Sequence, residues 1–108
     1  MTEEAQRILI ELSRREAPSE ACGILSQDTI RLMKNVSPTP SWHSHPGSRA
    51  VPTPEDIDLM RETLVPMIIV SLLPTVPEVA IFALDEHNAD RVICVRSYRP
   101  IQNLLSMT

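Results

Sequence analysis

Aromatic residues are nearly missing: one Trp, one Tyr and one Phe make up 3% of 108 residues. An interior with so few rings must be filled by Leu, Ile, Val and Met, within a hydrophobic fraction of 43% that suits a globular chain. A basic excess is missing too. The formal net charge is −4 and Lys and Arg form no cluster, which argues against nonspecific nucleic-acid binding. Long apolar runs do not occur either. The longest, Leu64 to Leu73, is too short to cross a bilayer and is interrupted by Pro66. The first residues, Met-Thr-Glu-Glu-Ala-Gln-Arg, are polar and acidic, unlike a secretory signal. Cysteine is sparse: Cys22 and Cys94 lie far apart without Cys-x-x-Cys spacing, so a reduced pair of buried thiols is expected. These absences predict a cytoplasmic protein with no membrane or nucleic-acid partner, folded as a single domain over residues 1–108.

What is present alternates between helix and strand signals. Ala5, Ile8, Leu9 and Leu12 recur at helical spacing and predict a helix from residue 3 to about 16, which Pro18 closes. Ala21 to Leu25 reads as a buried strand. A turn near Gln27-Asp28 leads to a second strand over Ile30 to Asn35, and Ser37 to Pro40 breaks the pattern. Trp42 to His45 forms a short strand, and Pro46 to Pro52 is irregular. Thr53-Pro54-Glu55-Asp56 is a helix start: Thr at the N-cap, Pro at the first position, acids in the first turn. Ile57, Leu59, Met60 and Leu64 give that helix its apolar side. Strands follow at Met67 to Leu73, Val79 to Leu84 and Arg91 to Tyr98, with a turn at Pro74 to Pro77 and a frayed tail over residues 100–108. The expected fold class is α/β (α+β), a central mixed sheet flanked by two helices.

Two of the three histidines, His43 and His45, stand two apart on a predicted strand and so share one face. A strand with imidazoles on one face has no packing motive for them. Asp56, eleven positions on, falls in the first turn of the following helix. Two imidazole nitrogens and a carboxylate oxygen suit zinc, and three protein ligands leave a fourth position for water. Asp56 taken alone reads better as the third-position acid of a capping box with Thr53, and it is the set of residues together that points to a metal. Hydrolysis also needs a carboxylate near the metal but not on it, and Glu20, at the threshold of an apolar strand, is the candidate. His87, in the polar Asp85-Glu86-His87-Asn88 turn, reads as an ordinary surface residue.

Glu20, then His43-Ser44-His45, seven residues, Thr53, two residues and Asp56 together resemble the JAMM signature of MPN-domain metalloproteases. The flanks resemble that family as well. Pro18 to Leu25 is similar to the segment carrying its glutamate, Trp42 to Pro46 to its metal strand, and Arg96-Ser97-Tyr98-Arg99 to the closing strand of short bacterial members. The resemblance covers most of residues 3–99. Thr53 stands where the family has serine, and only 22 residues separate Glu20 from His43, fewer than is usual.

The resemblance implies a cytidine-deaminase-like MPN/JAMM fold in which His43, His45 and Asp56 hold Zn2+. Glu20 would act as general acid and base, and Thr53 would support the oxyanion, with Ser48 as an alternative hydroxyl. It implies a zinc metallopeptidase cutting a peptide or isopeptide bond at the tail of a ubiquitin-like or sulfur-carrier protein. The shortened segment leaves a sheet edge that a second copy would cover in a homo-oligomer. The alternatives are a phage tail-associated cell-wall peptidase and a noncatalytic MPN scaffold.

Overall fold

A computed structural model describes residues 1–26, 29–32, 41–73 and 75–98. Helix α1 (Glu3–Glu16) starts at Thr2, whose hydroxyl accepts the Ala5 N–H, and carries Glu3 and Glu4 at its positive end and Arg14 and Arg15 at its negative end. It buries Ala5, Leu9 and Ser13, four apart, and the Ser13 hydroxyl is satisfied by the Leu9 carbonyl at 2.7 Å. Ile8, expected on this face, is 39% exposed at the edge of the buried stripe, while Leu12, also expected, and Ile10 pack partly against the core.

Six strands follow: β1 (Cys22–Ser26), β2 (Thr29–Leu32), β3 (Trp42–His45), β4 (Met67–Ser71), β5 (Glu78–Asp85) and β6 (Asn88–Tyr98). Helix α2 (Pro54–Thr63) connects β3 to β4. The sheet runs β2-β1-β3-β4-β5-β6, parallel only between β3 and β4 and antiparallel elsewhere. The crossover through α2 is what allows that parallel pair. The result is a mixed α+β architecture with one helix on each face of the sheet. The expected second strand beyond Leu32, the turns at Gln27-Asp28 and Pro74, the break at Ser37 to Pro40, and the tail over residues 100–108 lie outside the described residues. Among those described, no helix is long and apolar enough to cross a membrane.

Register decides which residues share a face. Trp42 pairs with Ile68 and Ser44 with Val70, while His43 pairs with Ile69 and His45 with Ser71. The first set faces α1, where Leu9, Ala21, Trp42, Ile68, Val70 and Val79 form one core. The second faces α2, where Ala50, Met60, Met67, Ile69, Ala80 and Phe82 form another. Strand β4, buried along its whole length, separates the two cores, as a central strand covered on both faces must.

Two expectations about apolar residues are corrected. Leu64 does not extend the apolar side of α2. It caps the helix in the left-handed region (φ 58°, ψ 26°) and is 77% exposed. No disulfide joins the cysteines, and neither is buried as expected: Cys22 is half-buried on β1 and Cys94 is exposed on the edge strand β6.

Candidate metal centre

Strand β3 brings both imidazoles to the α2 face, and they are almost closed off from solvent, His43 at 8% and His45 at 5% exposure. Their Nε2 atoms stand 3.1 Å apart. Helix α2 delivers the third group from above. Its capping box is complete: the Thr53 hydroxyl accepts the Asp56 N–H at 3.2 Å, and Asp56 Oδ2 accepts the Thr53 N–H at 2.9 Å. The same carboxylate lies 3.2 Å from His43 Nε2 through Oδ1 and 3.4 Å from His45 Nε2 through Oδ2. Cap and candidate ligand are therefore one arrangement, not rival readings of Asp56. The box holds the carboxylate against the histidine pair.

Contacts of 3.1, 3.2 and 3.4 Å hold this trio together, the carboxylate reaching His43 through Oδ1 and His45 through Oδ2, at separations near a tetrahedral ion's coordination edge. Bonds of about 2.0–2.1 Å to nitrogen and oxygen set neighbouring ligands roughly 3.3–3.4 Å apart. The second ring nitrogen of His45 reinforces the fit. Its Nδ1–H donates to the Arg49 carbonyl at 2.9 Å, which leaves the Nε2 lone pair directed at the cluster. Two imidazole nitrogens and a carboxylate meet in this nearly dry site, an arrangement that a ring proton shared among them or a metal cation would hold together.

The titration behaviour follows from the same contacts. The hydrogen bond to Asp56 raises the His45 pKa above its ordinary value against the opposing effect of burial, with help from the Arg49 carbonyl. Burial alone would push the Asp56 carboxyl up. Hydrogen bonds from His43, His45 and the Thr53 N–H outweigh it and hold that carboxyl well below the usual carboxylate range.

Glu20 approaches from the open side. A carboxylate oxygen of this exposed residue lies within 4.8 Å of ligand nitrogens of both His43 and His45. Ser44, on the opposite face of β3, fixes the backbone beside it: its hydroxyl accepts the Ala21 N–H at 2.7 Å, and its own N–H donates to the Ala21 carbonyl at 2.8 Å. Glu20, His45, Ser48, Thr53 and Asp56 all line one open cavity of about 500 Å³, together with Pro18, Pro46, Gly47 and Glu55. The Thr53 hydroxyl uses a lone pair for the cap, so its proton remains available to this cavity. His87 sits exposed in the β5–β6 turn, apart from the site.

Glu20, His45, Thr53 and Asp56 thus line one cleft, and His43, the fifth residue singled out from the sequence, stands behind it against His45 and Asp56. Sequence reasoning passed over Ser44, Arg49, Ser71 and Glu78, which support it from the strands and from the loop after β3. The available signal was polarity out of place: Ser71 ends the otherwise apolar Met-Ile-Ile-Val-Ser, and Glu78 begins Glu-Val-Ala-Ile-Phe, yet both are buried. The chain matches no family model and no curated protein.

Proposed function

We propose that the protein is a zinc-dependent metallopeptidase of the JAMM type, with the cytidine-deaminase-like MPN fold its motif implies. The observation that carries this reading is the trio of His43, His45 and Asp56 in mutual contact, with the Glu20 carboxylate beside it on the cleft side. A zinc ion held there would bring the pKa of a coordinated water to near 7 and polarise the scissile carbonyl.

The protein's own groups then have distinct tasks. Asp56 is tied into the capping box and serves as the third ligand, whereas Glu20 is exposed and free to exchange protons. Glu20 accepts a proton from the attacking water and returns it to the amide nitrogen as the C–N bond breaks, so that water and amide yield acid and amine. The Thr53 O–H donates to the carbonyl oxygen as negative charge develops on it. The nearly buried imidazole pair keeps the ligand contacts at a lower dielectric than water, where they are stronger.

The substrate class is the extended C-terminal tail of a ubiquitin-like or sulfur-carrier protein, cut at a peptide or isopeptide bond. An open cleft at the end of a sheet suits a chain without bulk, which can add to a strand edge through its backbone. A second copy of the protein covering a free edge is compatible with this arrangement.

Glu20→Gln decides between proton carrier and ligand. It should keep about one zinc per chain, measured by metal analysis, and lose at least 100-fold in cleavage of a carrier fusion, in line with the usual worth of a general acid–base. Loss of zinc would make Glu20 a ligand. Undiminished cleavage would remove it from the mechanism. Failure of the wild-type protein to bind zinc would leave a scaffold, and cleavage confined to cell-wall peptides would redirect the substrate.

A further inference from the structure

Carboxylates are rarely buried without a reason, and the Glu78 residue at the start of β5 is only 4% exposed. Register places it in a row that crosses three strands. His45 on β3 pairs with Ser71 on β4, and Ser71 pairs with Glu78 on β5, so all three side chains project to the α2 face. The loop that follows β3 folds back over this row, and each member holds it. The His45 ring donates to the Arg49 carbonyl at 2.9 Å. The Ser71 hydroxyl donates to the Ser48 carbonyl. Glu78 Oε2 stands 3.6 Å from Nη2 of Arg49, whose side chain is otherwise largely in solvent.

Arg49 therefore meets the row at two points. Its guanidinium faces Glu78, and its carbonyl receives both the His45 Nδ1–H and the Val51 N–H. That carbonyl decides which nitrogen of His45 carries the proton, and hence which one is presented to a cation. We infer that Glu78 is a positioning residue for the metal centre, acting through Arg49 to hold the loop carbonyl that keeps the Nε2 lone pair of His45 turned toward His43 and Asp56. The inference rests on the reading of those three residues as metal ligands, but the loop's hold on the ring exists before any metal arrives.

The test uses the full-length wild type, Glu78→Gln, Arg49→Met and the double variant. Zinc affinity comes from competition with a chromophoric chelator. The His45 tautomer comes from 15N–1H NMR of the metal-free protein, which a merely structural role would leave unchanged. Each single variant should weaken zinc binding about tenfold, in the range expected when a ligand's supporting partner is lost. Each should also reduce the Nδ1–H form of His45. The double variant should be no weaker than the poorer single, because both changes cut the same link, and Arg49→Lys should recover most of the affinity. Should Glu78→Gln fail to fold, the exposed Arg49→Met keeps the question open to measurement. Unchanged affinity and tautomer in Arg49→Met, or losses that simply add in the double variant, would overturn the inference. A tautomer change in the variants, when the wild type itself binds no zinc, would keep the clamp and remove the metal reading instead.

Discussion

Strand β3 presents two different surfaces from four consecutive buried residues. Trp42 and Ser44 face α1, and His43 and His45 face α2. On the α1 side the indole is fully enclosed among Leu9, Ile68, Val70 and Val79, and the Ser44 hydroxyl is consumed by the Ala21 backbone. On the α2 side, polar groups line up across the sheet and meet a helix N-terminus and a loop. The same degree of burial serves cohesion on one face and concentrates ligand atoms on the other. What separates the two is whether the polar atoms are satisfied pairwise or converge on one point.

The largest effects should come from changing one face at a time. His45→Ala should abolish zinc binding and cleavage together, and with them the stabilisation that zinc adds, about 2.7 kcal/mol at a hundredfold excess over Kd. Trp42→Phe should do the reverse. Its cost is about 1–2 kcal/mol, since the smaller ring leaves a void while also removing a buried indole N–H that has no partner among the described residues. The zinc increment should survive intact. Thermal unfolding of both variants with and without zinc reads the difference, and an increment lost in Trp42→Phe would mean that the two faces are not separable.

A smaller effect sharpens the same contrast through pH. His45 binds its proton more tightly in the folded chain, so it contributes stability that is complete below about pH 6.5 and is lost as pH rises through its raised folded value. Asp56 works oppositely. Its depressed value contributes stability above about pH 4 that is lost as the pH falls. The metal-free protein should therefore be most stable between roughly pH 4 and 6.5, and its melting temperature should drop from pH 6 to 8. Zinc should reverse that upper limb, because binding needs the neutral imidazole and so strengthens as protons leave. A metal-free melting temperature that climbs from pH 6 to 8 would contradict the proton's role in the trio.

Much of this was legible in the chain because the signals were local. The period-two spacing of His43 and His45 and the Thr53-Pro54-Glu55-Asp56 helix start each need only a few consecutive residues to be read, and both place their side chains in one direction. Ser71 and Glu78 stood out only as polar residues at the ends of apolar strands, and what they do, with Arg49, was not legible. Their roles depend on the pairing of β3 with β4 and of β4 with β5, which no short stretch encodes. Ser44 is similar, since its partner, the Ala21 backbone, lies on a neighbouring strand. Cys94 misled for a related reason: alternation marks a strand but not whether it sits at an edge, and β6 does. Ile8 is exposed although Ala5, Leu9 and Leu12 of the same expected face pack inward, because helical spacing does not tell how wide the buried stripe is.

The smallest prediction concerns the end of α2 farthest from the site. At its first turn the helix has Thr53, Pro54 and Asp56, each suited to its position. At its last it has Leu64 in the left-handed region, with its N–H bonded to the Met60 carbonyl at 2.8 Å. A branched side chain there costs about 1–2 kcal/mol relative to ordinary backbone, and glycine avoids that cost while giving back part of the gain as chain entropy. Leu64 is largely exposed, so little packing is forfeited. Leu64→Gly should thus raise stability by roughly 0.5 kcal/mol, about 2–4 °C in melting temperature, with zinc affinity and cleavage unchanged. Because it adds stability without touching either core or the trio, it separates firmness of the fold from competence of the metal face. A fall in melting temperature would mean that Leu64 packs more than its exposure indicates. A change in zinc affinity would mean that strain at one end of α2 is transmitted to the Asp56 carboxylate at the other.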